Sequence, residues 1–437
     1  MATSFTFRVL VVEDDPDFRN YMQSAMKRTQ KFVNFKMEIQ YVISKQDAVN
    51  YLKVKHYHLV SLDQRFPEKI GGEIVHDTGL TLLKDIVEKY PTSSRLLYTA
   101  YPKIPYANLA GTLDSTPYFG KSIDEYDHPD EQQLTVKSWA NKIQEMSEQY
   151  VSFSLPRMGK YLPPGMAQRA RLMSLEFNNH EIFMTTAKEL WESCLHLIWA
   201  QTLAIAAQNP HLPRPIKIRN TLYGIETELE RLLPSMAKAG WLDPWLPYLG
   251  AGQTGSGENA GHRFLKYASK LWRSLRNKKA HLFSRNDWEE HRHKMHEPLL
   301  HLLDALSYWT VRPLFTHPTF DPSSHYDMRN LMVQGESLPW KEKTIRIPPG
   351  LNKLAAQDST HLFTLWHAPD VGEFLMDLHP FVQLQEKENH HVLWTLSYLQ
   401  SGKDGGWKFR SLAGGELESL PLTLNDQNYL AGKLRWT

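Results

Sequence analysis

A single cysteine, Cys194, stands in the 437 residues. One thiol cannot close an internal disulfide, so nothing in the chain asks for an oxidising compartment. Long apolar runs are missing too: none approaches the ~18 residues of a membrane span. The N-terminal apolar stretch in MATSFTFRVLVVEDD meets acids at once and is too short for a secretory signal. Charge of one sign is also scarce. A net charge of +2 predicts no strong pull toward nucleic acid or a membrane surface. No segment carries the clustered cationic and amide side chains of a helix-turn-helix reading head, so a DNA-binding output is not supported. These absences lead to the expectation of a soluble, cytoplasmic protein. The length implies two or three domains, each with enough chain to bury a core.

What is present is clearest before residue 150. Arg8 to Val12 is continuous aliphatic and β-branched, the pattern of a strand buried on both faces, and it stops at Glu13-Asp14-Asp15. Pro16 fits the first turn of a helix running to about Arg28. A strand at Met37 to Val42 and a helix from Gln46 to Val54 precede a third strand, Tyr57 to Leu62, which ends on Asp63. Gly79 to Tyr90 reads as an amphipathic helix, Arg95 to Thr99 as a fourth strand and Tyr118 to Gly120 as the end of a fifth; Gln132 to Tyr150 closes the unit as a helix. This alternation predicts a doubly wound α/β domain with a five-stranded parallel sheet over residues 1–150.

In such a sheet the carboxyl ends of the strands converge on one crevice. Glu13, Asp14, Asp63, Thr99 and Lys121 arrive there. Three crowded carboxylates repel one another unless a hard divalent cation holds them, and Mg²⁺ suits carboxylates, waters and phosphate oxygens. Asp63 then reads as an in-line nucleophile toward a phosphoryl group, with Lys121 as a second cation and Thr99 as a hydroxyl donor.

With LVVEDDP, VSLDQRFP, LLYTA and YFGK in place, residues 6–148 resemble a response-regulator receiver domain. The resemblance implies Asp63 as phosphorylation site, a histidine kinase as phosphodonor, and Mg²⁺ held by Glu13, Asp14, Asp63 and the backbone carbonyl of Arg65. It also implies Thr99 and Lys121 as catalytic groups and Thr99 with Tyr118 as the switch pair. Two features depart from the pattern. EKIGGEIVHDT enlarges the loop between Pro67 and Gly79, where the family has a glycine about four residues after that proline. Ser122 replaces the proline that the family favours after its lysine.

Residues 151–166 carry three prolines and two glycines and read as a linker. Beyond it, helical patterns at 167–177, 179–207, 219–236, 261–276 and 287–308 predict an all-α bundle over 167–320. GQTGSGENAG, from Gly252 to Gly261, lacks the lysine and preceding strand of a phosphate loop and reads as a connector. Arg276, Asn277 and His281 in LRNKKAHLF resemble the signature of HEPN helical domains, many of them metal-independent ribonucleases. Arginine and histidine suit a scissile phosphate. Five positions on a straight helix, however, place those side chains about 140° apart. The helix must end or bend there, or a second copy in a dimer must supply half the site. His291, His293 and His296 with Glu297 read as a charged outer face rather than a metal site.

From about 325 to 437 the composition shifts to short β-type runs, 343–347, 361–367, 381–385, 391–399 and 407–412, separated by turn signals. A small mostly β domain is expected, with His390 and His391 in a hairpin loop. The output stays open between two readings. In one, phosphorylation switches a HEPN-like ribonuclease acting on RNA, or exposes a protein-binding surface. In the other, the chain is a phosphate sink that competes with another response regulator. A receiver joined to a HEPN-like region is similar to regulators of antiphage two-component systems of the Detocs type, which places antiviral defence among the expectations.

Overall fold

The computed structural model describes residues 5–29, 36–100, 108, 110–113, 116–122, 133–208, 222–241, 284–320, 327–333, 342–346, 361–368, 372–387, 390–398, 407–412, 417–418 and 425–426. The chain forms two compact units, Met1–Arg157 and Met158–Thr437.

The first unit is built on strands β1 (Thr6–Val12), β2 (Lys36–Val42), β3 (Leu59–Leu62), β6 (Ser94–Thr99), β7 (Tyr118–Ser122) and β8 (Gln133–Thr135). They lie in the order β2-β1-β3-β6-β7-β8 and all pair in parallel. β1, β3 and β6 are interior strands and are buried along nearly their whole length, as a sheet covered on both faces demands. Helix α1 (Pro16–Thr29) packs against α4 (Val136–Glu148), while α2 (Lys45–Val54) packs against α3 (Thr78–Lys89). The strand order reverses between β1 and β3, which opens a crevice beyond their carboxyl ends.

The sheet has six strands, not the five expected, and the sixth stands where a helix was expected from Gln132. Thr135 explains the difference. Its side chain caps α4 by accepting from Ser138 N at 3.1 Å, and an N-cap residue is extended, so the helix begins at Val136. Ser122, in place of a proline, extends β7 and pairs with Thr135. Between β3 and α3 the enlarged loop is a two-stranded hairpin, β4 (Phe66–Pro67) with β5 (Ile74–Val75).

The stretch 151–166, expected as a linker, is helical over α5 (Tyr150–Tyr161) despite Pro156. An interior proline costs about 3 kcal/mol. Full burial of Leu155 and Met158 offsets it at roughly 1.5–3 kcal/mol each.

The second unit begins with α6 (Met166–Leu175) and the 29-residue α7 (His180–Gln208). Leu195, Leu197, Ile198, Leu203 and Ile205 are all buried on α7. The Cys194 thiol beside them is pushed up to about 12 by burial, so it stays protonated and inert. Helix α8 (Leu222–Lys238) follows. The single helix expected over 287–308 is two helices, α9 (Arg285–Lys294) and α10 (His296–Val311), broken at Met295. Pro298 is the cause, because within a continuous helix its ring would strike the Lys294 carbonyl.

The β region starts earlier than its expected boundary, at β9 (Leu314–Phe320), inside the range assigned to the helical part. Pro318 lies within this strand, at the point where the pairing with β10 (Asp327–Val333) shifts register. β11 (Glu342–Arg346), β12 (Phe363–Ala368) and β13 (Gly372–Asp377) complete a five-stranded sheet; β14 (Val382–Lys387), β15 (His390–Tyr398), β16 (Trp407–Ser411) and β17 (Leu417–Glu418) form a four-stranded one. Every pairing in both sheets is antiparallel. His390 and His391 are not in a loop: they open β15 and pair with Lys387 and Glu386. No helix among the described residues is long and apolar enough to cross a membrane.

Candidate functional site

The crevice is assembled by backbone pairing before any side chain contributes. Asp63 N donates to Val12 O at 3.0 Å and Glu13 N to Val42 O at 3.0 Å, so the acids after β1 and β3 are held side by side. Arg19 fastens the β1 exit, its Nη1 donating to the carbonyl oxygens of Glu13 and Asp14 at 2.8 and 2.9 Å. Asp15 faces away from the cluster and caps α1, accepting from Asp17 N and Phe18 N at 2.9 and 3.0 Å.

The carboxylates of Glu13, Asp14 and Asp63 each offer an oxygen within 4.8 Å of the others. Glu13 and Asp63 are buried, Asp14 half-buried. Lys121, carried in on β7, donates from Nζ to Glu13 Oε2 and to Asp63 Oδ2, both at 2.6 Å. Its ammonium also lies 4.5 Å from the Phe18 ring centroid. Gln64 N donates to the other Asp63 oxygen at 2.5 Å.

Burial pushes the Glu13 carboxyl up to about 7, with Lys121 opposing and the Asp63 charge reinforcing the rise. Asp14 is raised by burial as well. Burial pulls the Lys121 ammonium down, but Asp63 and Glu13 outweigh it and its net shift is upward, so it remains charged. Lys121 thus bonds two of the three clustered acids. Hard oxygen donors short of positive charge fit a divalent cation.

Thr99 is fully buried at the end of β6 and pairs with Gly120, next to Lys121. Tyr118 Oη donates to Gln64 Oε1 at 3.3 Å, which ties the residue three before the lysine to the residue after Asp63. Trp139 Nε1, on α4, donates to Ser61 Oγ of β3 at 3.0 Å, and both residues are buried. Glu13, Asp14, Asp63 and Lys121 thus meet in the crevice, Tyr118 reaches the neighbour of Asp63, and Thr99 ends the adjoining strand. Arg65 lies between Asp63 and β4, its Nη2 3.4 Å from His76 Nε2.

Sequence reasoning missed Phe18, Gln64 and Trp139. Phe18 carries no charge or hydroxyl to mark it, and the other two act across 54 and 78 positions of sequence. Backbone meets backbone at Gly79, whose N–H donates to Gln64 O at 2.9 Å. A Cβ there would overlap the Asp63 carbonyl oxygen and sit 2.7 Å from Gln64 Cα. The glycine after the enlarged loop is thus required by contact with the Asp63 backbone.

In the second unit, Arg276, Asn277, His281 and the stretch from Gly252 to Gly261 lie outside the described residues. His291 and His293 sit on α9 and His296 with Glu297 on α10, on either side of the Met295 break. Arg292 donates to Phe177 O and stacks over the Phe177 and Phe183 rings at 4.3 and 3.9 Å.

No protein-family model matches the chain, and no curated protein matches it either. Solved structures similar to its N-terminal third are receiver domains. A CheY-like response regulator receiver domain protein from Methanospirillum hungatei JF-1 is 16% identical, covering 33% of this chain and 97% of its own, with a TM-score of 0.25. The signal receiver domain of an HD domain-containing protein from Pseudomonas fluorescens Pf-5 is 16% identical over 34% of this chain and 99% of its own, TM-score 0.26. The Mn²⁺-bound form of response regulator Rcp1 is 15% identical over 32% and 91%, TM-score 0.24.

Proposed function

We propose that the first unit is a phosphoacceptor: Asp63 takes a phosphoryl group from a phosphohistidine, and the chain acts as a response regulator. The observation that carries this reading is Lys121 Nζ at 2.6 Å from both Asp63 and Glu13, a fixed cation at the mouth where phosphoryl charge would arrive.

The chemistry follows from the side chains. An Asp63 carboxylate oxygen forms the new O–P bond as the N–P bond of the donor breaks, and the departing imidazole keeps the bonding pair and takes up a proton. Asp63 needs no general base, since its carboxylate is the nucleophile. Lys121 then has phosphoryl oxygens to pair with, and Thr99 supplies a hydroxyl donor from the end of β6. Glu13, Asp14, Asp63 and the Arg65 carbonyl are the groups we assign to Mg²⁺. When bound, that ion would neutralise phosphate charge that one lysine cannot balance alone. Thr99 and Tyr118 are the residues we assign to transmitting the change, and the Tyr118 bond to Gln64 supports this by linking the ring to the neighbour of Asp63.

The test is incubation with phosphoramidate and Mg²⁺, comparing wild type with Asp63→Ala and with a chelator. Phosphorylation of wild type alone, abolished by the chelator, supports the reading; equal labelling of Asp63→Ala refutes it.

A further inference from the structure

The hairpin of β4 and β5 is referenced to Asp63 at both ends. It leaves the sheet three residues after Asp63, and it returns into α3, whose Gly79 touches the Asp63 backbone. A third anchor is Glu68, whose carbonyl accepts from Gln46 N at 2.9 Å and whose carboxylate pairs with Lys45 at 3.3 Å. Gly71, at φ 74°, forms the tip with a left-handed backbone. The hairpin is therefore a fixed part of the rim.

Its two strands differ in burial. Phe66 and Pro67 are buried, whereas their partners Val75 and Ile74 are 46% and 55% exposed, and Ile70 near the tip is 66% exposed. Three aliphatic β-branched side chains are thus exposed within six positions of one short hairpin, Ile70 near its tip and Ile74 and Val75 on its outer strand. Consecutive strand residues point to opposite faces, so β5 presents apolar groups on both. The charges between them, Glu68, Lys69 and Glu73, are of mixed sign and give no electrostatic steering.

We propose that this hairpin is the docking surface for the protein that phosphorylates Asp63, a phosphohistidine-bearing partner with apolar side chains flanking its histidine. The inference rests on the phosphoacceptor reading. Continuity with that site carries it: Asp63 is only 7% exposed, so a histidine reaching it brings the donor's surrounding surface onto the rim, and the hairpin is the rim segment joined to Asp63 on both sides. A small phosphodonor enters without covering the hairpin. The two routes are therefore separable.

The experiment measures phosphorylation of wild type and of an Ile70→Ser, Ile74→Ser, Val75→Thr variant by two donors. One is phosphoramidate; the other is whichever autophosphorylated histidine kinase of the same cell labels wild type fastest. Transfer from the kinase is expected to slow about tenfold or more, as loss of several apolar anchors implies, with the phosphoramidate rate unchanged. Equal kinase rates overturn the proposal, as does a wild type that phosphoramidate labels but no kinase does. Loss with both donors, repeated in the milder Ile74→Thr, also overturns it by making the hairpin a support of the site. So does a wild-type dimer that the substitutions dissociate, since those side chains would then serve a second copy. A wild type that phosphoramidate fails to label is the separate failure of the phosphoacceptor reading.

Discussion

Lys121 Nζ and Asp63 Oδ2 are 2.6 Å apart in a crevice where the lysine side chain is 5% exposed and that of Asp63 8%. A buried ion pair of this kind is weak evidence of a stabilising role, because desolvation consumes most of the attraction. Here the same lysine is shared with Glu13, whose carboxyl is left raised. The arrangement suits binding further charge more than holding the fold together.

A pH effect follows from Glu13. Its folded value of about 7 exceeds the ordinary 4.5, so folding favours the neutral form. That contribution is fully present below about 4.5 and is lost as pH rises through about 7. Asp14 is raised too and acts in the same direction. With a chelator present, urea midpoints of wild type fall between about pH 5 and about pH 7.5, and Glu13→Gln reduces that fall.

On the proposed assignment of Mg²⁺ to these carboxylates, divalent binding would reverse the cost: at free Mg²⁺ about a hundred times Kd, the first unit would gain about 2.7 kcal/mol. Asp14→Ala removes a half-buried carboxylate from the oxygen set without touching the bonds of Lys121. Thermal melts with and without Mg²⁺ show a smaller shift in this variant than in wild type.

Gly79→Ala tests the contact between α3 and the Asp63 backbone. The added methyl meets backbone atoms of Asp63 and Gln64, which cannot swing aside as a side chain would. Overpacking of this kind costs about 1–3 kcal/mol and sometimes more. Denaturant midpoints fall accordingly, and phosphoramidate labelling slows because Asp63 is displaced.

The crevice was legible because its residues sit at strand ends, where the run of Val9 to Val12 or Leu59 to Leu62 breaks into a charged or hydroxyl group. Local pattern carries that signal. The hairpin was seen only as extra length, since two-residue strands such as Phe66–Pro67 have no periodicity to read. β8 escaped for the same reason, with three residues merging into the helix that Thr135 caps. Pro156 misled, because tertiary burial accommodated in a helix a residue that composition alone assigns to a break. Gln64 with Tyr118, and Ser61 with Trp139, are long-range pairs that no single-sequence spacing reveals.

The most direct test of the central claim locates the phosphoryl group. Phosphoramidate-treated protein is reduced with borohydride, which converts an aspartyl phosphate to homoserine, and the peptides are sequenced by mass spectrometry. The account predicts homoserine at position 63 and nowhere else. An unmodified Asp63 in protein that carries phosphate, or conversion at Asp14 or Asp15 instead, would contradict it.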